Sequence, residues 1–291
     1  MINTSASLHH APDLASASDA EVALAAARAG ADVVRELYGR RLDRIDKGGG
    51  DFATAADLAG ERAILAVLRA ARPDDGVLGE EGGEQGAAGA GRQWFVDPLC
   101  GTLNYASGTM VAAVNVALRD GAAAVADPFG GEVFWTDGQV ARVRHDGDDT
   151  PLEPSAAGRL VDVNLDAPFP HAPGFRAVEL LAHPRFGPGF RPRVVSSSMA
   201  VAWVAAGKRA AYVTDGGDLA DSVHFAAGIA LCRAAGCVVT GIDGEPLGRP
   251  GRPGRGLVAA ADQRTHDELM ALIRDLPGSP ALPGHGHGHA G

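Results

Sequence analysis

A chain of 291 residues, 46% of them apolar, with 40 glycines and 18 prolines, holds material for one large domain or two modest ones joined by many loops. Its formal net charge of −10 excludes the clustered Lys and Arg of a nucleic-acid surface, and no stretch approaches the run of about eighteen apolar residues that a membrane span needs. Three cysteines, Cys100, Cys232 and Cys237, lack the number and spacing of a disulfide framework, so a reducing cytoplasm is the expected setting.

In chain order, residues 1–17 read as a flexible arm with neither the basic start nor the apolar core of a signal peptide. Ser18 and Glu21 fit a capping box that opens a helix to about Tyr38, with Val22, Ala26, Ala29, Val33 and Leu37 as its inner stripe and Gly39 as its stop. RIDKGGGDFATAADLAGE then reads as a short glycine-broken hairpin or loop feeding a helix from about Ala55 to Ala71, with a second capping box at Thr54 and Asp57. GVLGEEGG is a short apolar strand running into acid and glycine. RQWFVDPLCGT repeats that plan: a strand from Trp94 to Val96 ends at Asp97 and turns through Gly101 into a short helix.

From Met110 to Gly138 the apolar and alternating segments, punctuated by Asp120-Gly121 and Gly130-Gly131, predict a β-meander. RPRVVSS, KRAAYVT and CVVTGID predict strands of a second sheet. Helices at about Ser198–Ala206 and Leu219–Ala235 lie between them, and Cys232 and Cys237 read as packing residues. The tail after Ile273 has too little apolar material to pack, and its alternating His285, His287 and His289 read as part of a disordered segment.

Carboxylates collect at strand ends and turns: Asp51, Glu80, Glu81 and Asp97, with Asp218 and Asp221 entering the last of these helices beside His224. Oxygen ligands of this kind suit the metals that serve phosphate chemistry. Glu80 and Asp97 stand out, because each comes at the end of a buried-looking run with a glycine a few residues further on, whereas Asp218 reads as a solvated turn residue. Gly101 permits a close backbone approach, and the amides of Gly101 and Thr102 open a helix in the orientation that receives a phosphate oxygen. The Thr102 hydroxyl can fix a metal-bound water, cap the following turn, or do both.

GEE at Gly79–Glu81, VDPLCGTLNYASG at Val96–Gly108, and FAAGIALCRAAGC at Phe225–Cys237 followed by Asp243-Gly244 resemble the inositol monophosphatase-like superfamily. These are metal-dependent, lithium-sensitive phosphomonoesterases of the inositol phosphatase, fructose bisphosphatase and nucleotide bisphosphatase kind. The likeness extends over about Ser18 to Asp275. It implies an α/β fold, an alternating αβαβα layered sandwich. An N-terminal α+β subdomain at 18–150 would carry the metal and phosphate site, a C-terminal subdomain at 151–276 would close the cleft, and a disordered His/Gly-rich tail would occupy 277–291. Assembly as a homodimer is also implied. Carried over residue by residue, the resemblance gives Glu80, Asp97 and the Leu99 carbonyl to a first ion, Mg2+. Thr102 and Asp51 would orient and activate the attacking water, Thr54 and Glu81 would support them, and the Gly101 and Thr102 amides would hold the phosphate.

The chain then departs from the family pattern. Cys100 stands where the family has a second-ion aspartate, and the last aspartate ligand falls on either Asp221 or His224, depending on where three extra residues are absorbed. At i and i+3 of a helix both would face the cleft. Three roles follow for Cys100: ligand of a softer ion such as Zn2+ or Mn2+ together with Asp97 and His224 or Asp221, covalent nucleophile with His224 as its acid–base partner, or inert filler of an abandoned site. The expected function is a phosphomonoesterase acting on a small sugar, cyclitol or nucleotide phosphate, with no membrane or nucleic-acid partner. The alternatives are a lyase, cyclase or transferase on the same scaffold, or a phospho-ligand-binding pseudoenzyme.

Overall fold

The computed structural model describes residues 14–40, 43–48, 51–87, 89–165, 177–217, 219–248 and 255–276, and only the backbone of Gly48 and Asp51. Most of the expected N-terminal arm, Asp218 and the tail from 277 lie outside the described residues. Helix α1 (Asp19–Leu37) begins at Ser18, whose hydroxyl accepts the Glu21 amide, and α2 (Ala55–Ala71) begins at a complete Thr54–Asp57 capping box. The buried face of α1 departs from the predicted stripe in its second half, where Gly30, Ala31 and Val34 are buried and Ala29, Val33 and Leu37 only partly so. Gly30 is the cause. A Cβ there would lie 2.8 Å from Ile64 and 2.9 Å from Val114, so its absence lets α1 seat closely on α2 and on the sheet beneath.

Between these helices β1 (Arg44–Gly48) and β2 (Asp51–Thr54) form an antiparallel hairpin. The next strands are β3 (Gly76–Gly79), β4 (Gly83–Gln85) and β5 (Gln93–Cys100), then a short helix α3 (Thr102–Ala106). After it come β6 (Ala113–Leu118), β7 (Ala123–Ala126), β8 (Val133–Thr136), β9 (Ala141–His145) and β10 (Asp148–Pro151). They form one sheet in the order β10-β9-β8-β7-β6-β5-β3-β4, in which β6 to β10 are the predicted meander and only β3 and β5 run parallel.

The second half contains β11 (Leu160–Val163), α4 (Ala177–Ala182), α5 (Phe186–Gly189), β12 (Arg191–Val194), α6 (Met199–Ala205) and β13 (Ala211–Thr214). It ends with α7 (Ala226–Ala234), β14 (Val238–Thr240), β15 (Leu257–Ala260) and α8 (Gln263–Arg274), and its sheet has the order β12-β11-β13-β15-β14.

Strand parity explains the layering, because alternate residues face opposite sides. On β7, Ala124 and Ala126 pack with α1 and α2, while Ala123 and Val125 pack into a middle core built on α6 and α7. On β15, Leu257 and Ala259 face that same middle core, and Val258 and Ala260 face an outer core with α4, α5 and α8. The central strands of both sheets are therefore covered on both faces, and the molecule is an αβαβα sandwich, the expected architecture. Among the described residues no helix is long and apolar enough to cross a membrane.

Two predicted boundaries move, and both moves shape the site. Strand β5 continues past Asp97 to Cys100, and helix α7 begins at Ala226, seven residues later than expected. The segment before it is a run of turns in which the Ser222 hydroxyl accepts the His224 amide.

Candidate active site

The parallel pairing of β3 with β5 sets Gly79 opposite Val96. The next residue on each strand is an acid, and the Glu80 amide donates to the Val96 carbonyl at 3.0 Å, so Glu80 and Asp97 emerge side by side. Their carboxyl groups are in hydrogen-bond contact. Burial and the Asp97 charge push Glu80 up to about 9, against the pull of His224 and Lys47.

Beyond Asp97 the pairing with β6 slips. Asp97 faces Asn115 and Cys100 faces Ala113, so three steps on β5 match two on β6. This bulge at Pro98 and Leu99 falls where proline's missing N–H is tolerated, and it restores Cys100 to the face that Asp97 occupies. That face looks into the middle core, where the turns before α7 deliver His224.

The His224 Nδ1 lies 2.7 Å from Asp97 Oδ2. Burial opposes an imidazolium here, but hydrogen bonds to Asp97 and Cys100 outweigh it and hold His224 well above its ordinary pKa. Asp97, Cys100 and His224 each offer one ligand atom, and these atoms all lie within 4.8 Å of one another.

Of the two candidates for the last ligand, the structure brings in His224 and not Asp221. Asp221 is 61% exposed and pairs with Arg119 at 3.1 Å on the surface. The helical i, i+3 relation that would have turned both toward the cleft is absent, because residues 219–225 are not helical.

Cys100 also differs from the low-pKa thiol that nucleophilic use needs. Burial and the Asp97 charge raise the thiol, and contacts with His224 and the Ser198 amide, 3.2 Å away, only partly offset them.

Gly101 follows in the left-handed region at φ 105°, and a Cβ there would meet the Val111 carbonyl at 2.8 Å and that of Ser196 at 3.1 Å. Only glycine makes this turn without strain. The second half closes over it: Ser197 Oγ donates to the Cys100 carbonyl, and Asn104 Nδ2 lies 3.0 Å from the carbonyls of Val111 and Ser196.

Thr102 Oγ1 stands 3.0 Å from Asp57 Oδ1 and 3.0 Å from the Leu99 carbonyl. The other Asp57 oxygen accepts from the Thr54 amide and hydroxyl. Asp57, buried in α2 and pushed up to about 6 by desolvation against these hydrogen bonds, thus joins Thr54 to Thr102. From sequence it read only as a helix cap. Asp51, expected beside Thr102, begins β2, and its side chain lies outside the description.

Lys47 is a second residue that sequence reasoning missed, since residues 44–46 beside it in β1 are all exposed and show no inward alternation. Its Nζ is 2.9 Å from Glu80 Oε1 and 2.7 Å from Glu81 Oε1. Burial alone would lower this ammonium, but Glu80 and Glu81 outweigh it and raise it. The Glu81 amide in turn donates to Glu61.

The donor chemistry fits the expected ions. The Glu80 and Asp97 carboxyl groups meet around one proton, and a divalent ion held by Glu80, Asp97 and the Leu99 carbonyl would take that proton's place. The carboxylate–thiol–imidazole group is the donor set of a softer ion, and metal bonds of about 2.0–2.3 Å can span it. A metal-binding cluster is thus present, and it diverges from an all-oxygen one.

Comparison with known proteins agrees with this geometry. Residues 16–277 match the model of the inositol monophosphatase family. An inositol-1-monophosphatase of Caulobacter vibrioides is 33% identical over 238 residues, spanning 78% of this chain and 89% of that one. The inositol-1-monophosphatase ImpA of Mycolicibacterium smegmatis is 32% identical over 278 residues, 87% and 91% of the two chains. Among solved structures, the extragenic suppressor protein suhB of Bartonella henselae superposes with a TM-score of 0.72 at 26% identity, over 88% of this chain and 97% of that one. With the acids, the glycine turn and the layered fold all in place, the chain belongs to the inositol monophosphatase family.

Proposed function

We propose that the protein is a metal-dependent phosphomonoesterase that cleaves a small sugar, cyclitol or nucleotide phosphate by water attack. Mg2+ would be held by Glu80, Asp97 and the Leu99 carbonyl, and Zn2+ or Mn2+ by Asp97, Cys100 and His224. The observation that carries this reading is the convergence of Glu80 and Asp97, each one step past the Gly79–Val96 pairing of parallel neighbouring strands, just before the left-handed Gly101 turn. When bound, such ions polarise the phosphate and acidify water.

The chain's own residues supply the rest. Thr102 Oγ1, fixed by Asp57 and the Leu99 carbonyl, orients the attacking water, and Asp51 and Glu81 assist it. The Gly101 and Thr102 amides receive the phosphate oxygens. His224, locked on Asp97, faces the leaving-group side with Cys100. The same reading assigns 18–150 to the metal-bearing half and 151–276 to the closing half of a cytoplasmic homodimer.

One observation favours a second reading, covalent catalysis by Cys100. His224 contacts both Asp97 and Cys100, the order of a carboxylate–imidazole–thiol triad. The raised thiol opposes it.

One experiment separates the two. Phosphate release from a panel of sugar, cyclitol and nucleotide monophosphates is measured with Mg2+, Mn2+ and Zn2+, for the wild type, Glu80→Gln and Cys100→Asp. We expect Glu80→Gln to abolish turnover with every ion. Cys100→Asp should lose the response to Zn2+ and gain turnover in Mg2+. Loss of all turnover in Cys100→Asp together with a phosphocysteine in the wild type would establish the covalent route instead. No release from any substrate with any ion would overturn the phosphatase reading.

A further inference from the structure

Helix α7 ends in a Schellman turn. The Gly236 amide donates to the Arg233 carbonyl at 3.1 Å, the Cys237 amide donates to the Cys232 carbonyl at 2.9 Å, and Gly236 adopts φ 87°. This motif brings the side chain three places before the cap against the one two places after it. Apolar residues normally fill that contact. Here both positions are cysteine, and the two thiols are in side-chain hydrogen-bond contact.

The closing hydrogen bond holds the Cys237 backbone against that of Cys232, the proximity that a disulfide between them requires. Cys232 is fully buried and its Sγ lies 3.3 Å from the Val201 carbonyl, whereas Cys237 is only partly buried, and both are reduced. Cys237 is thus the less buried of the two and the one nearer to solvent. The metal and phosphate chemistry uses neither.

We propose that Cys232 and Cys237 are a peroxide-sensitive redox pair that closes to a disulfide across the end of α7. In the first step the Cys237 thiolate sulfur takes one oxygen of a hydroperoxide. The O–O bond breaks, the peroxide is reduced by two electrons and leaves as water or an alcohol, and Cys237 becomes a sulfenic acid. In the second step the Cys232 sulfur attacks it: the S–S bond forms, the S–O bond breaks, and hydroxide departs as water with the Cys232 proton. With hydrogen peroxide the balance is two thiols and one peroxide to one disulfide and two waters. The contact with Cys237, reinforced by burial, holds the Cys232 thiol well above its ordinary value, which makes Cys232 the proton-bearing partner and the slower, resolving thiol.

The sequence supplies its own assay. Arg233 lies between the cysteines, so trypsin cuts the chain there and an oxidised molecule yields two peptides joined only through sulfur. The full chain, loaded with Mg2+, is treated with one equivalent of hydrogen peroxide, alkylated, digested without reductant and read by mass spectrometry. The linked pair should appear, lose its link with dithiothreitol, and be absent from Cys237→Ser. Cys232→Ala should instead leave a Cys237 sulfenic acid that dimedone traps. Recovery of both cysteines alkylated, of Cys237 as sulfinic acid with Cys232 still alkylated, or of a disulfide to Cys100 would each overturn the proposal. The wild-type measurement decides the matter even if a variant fails to fold.

Discussion

Asp57 does two things with one carboxylate, and its acidity follows from both. Its folded value of about 6 lies above its ordinary 3.8, so between those values the folded chain holds more protons than the unfolded one. Stability therefore falls as pH rises through that window, and the cost of burying the charge is complete above about pH 6. Asp57→Asn removes this slope. Denaturant unfolding from pH 3.5 to 7 should show the stability of the variant relative to wild type rising by about 3 kcal/mol across the window. The same variant should lower turnover, because the amide no longer fixes Thr102 as a carboxylate does, and a proportionate loss in kcat with little change in KM would mark Asp57 as a positioning residue. Sequence displayed Asp57 as half of a capping box, which it is. That local role concealed the long-range one, since nothing in the spacing of Thr102, 45 residues on, announces that it shares the carboxylate. Glu80 and Asp97 were legible for the opposite reason. Each follows a short apolar run, residues 77–79 or 94–96, and an acid at the end of such a run is readable without knowing which strands pair.

At the scale of the element, β5 and α7 are where prediction and structure part. Apolar pattern stops at Val96, so a strand ending there is what periodicity can see, yet hydrogen bonding continues through the bulge to Cys100. A bulge is a property of two strands in register, and no single stretch of sequence reveals it. Its effect is decisive: without the extra residue Cys100 would face α1 and α2, and no cluster with His224 would form. The overlong α7 has a related cause. Leu219 to Ala235 carries good helical composition, but a side chain at 224 can meet Asp97 only if the chain before Ala226 unwinds. The turn after β5 is equally constrained. Gly101→Ala forces a Cβ into the left-handed region and against the Val111 carbonyl. We expect a loss of about 1–3 kcal/mol in unfolding stability and near-complete loss of turnover, measured by denaturant titration and phosphate release. Retention of both would mean that the turn can adopt another path.

Across the whole molecule, the layers were legible because they depend on gross pattern: amphipathic helices, a meander with glycine turns and a family-like order of segments. Their interleaving was not, since which face of a sheet meets α6 and α7 depends on tertiary pairing that only the fold supplies. The acid cluster as a whole makes one more measurement informative. With Glu80 held at about 9 by burial and by Asp97, the metal-free protein keeps a proton there at pH 7.5, and ion binding must release it. Calorimetric titration with Mg2+ in buffers of different ionisation enthalpy should report about one proton released per ion at Glu80, and none in Glu80→Gln. Absence of buffer dependence in the wild type would show Glu80 already ionised. The closing contact at this centre also has a bearing on biosynthesis. Glu80 and Asp97 leave the ribosome more than a hundred residues before His224, so a nascent chain presents crowded acids while the imidazole that completes their surroundings is still in the exit tunnel or unmade. The Asp97, Cys100 and His224 donor set is therefore complete only once synthesis has passed residue 224, whereas Glu80, Asp97 and the Leu99 carbonyl are made much earlier.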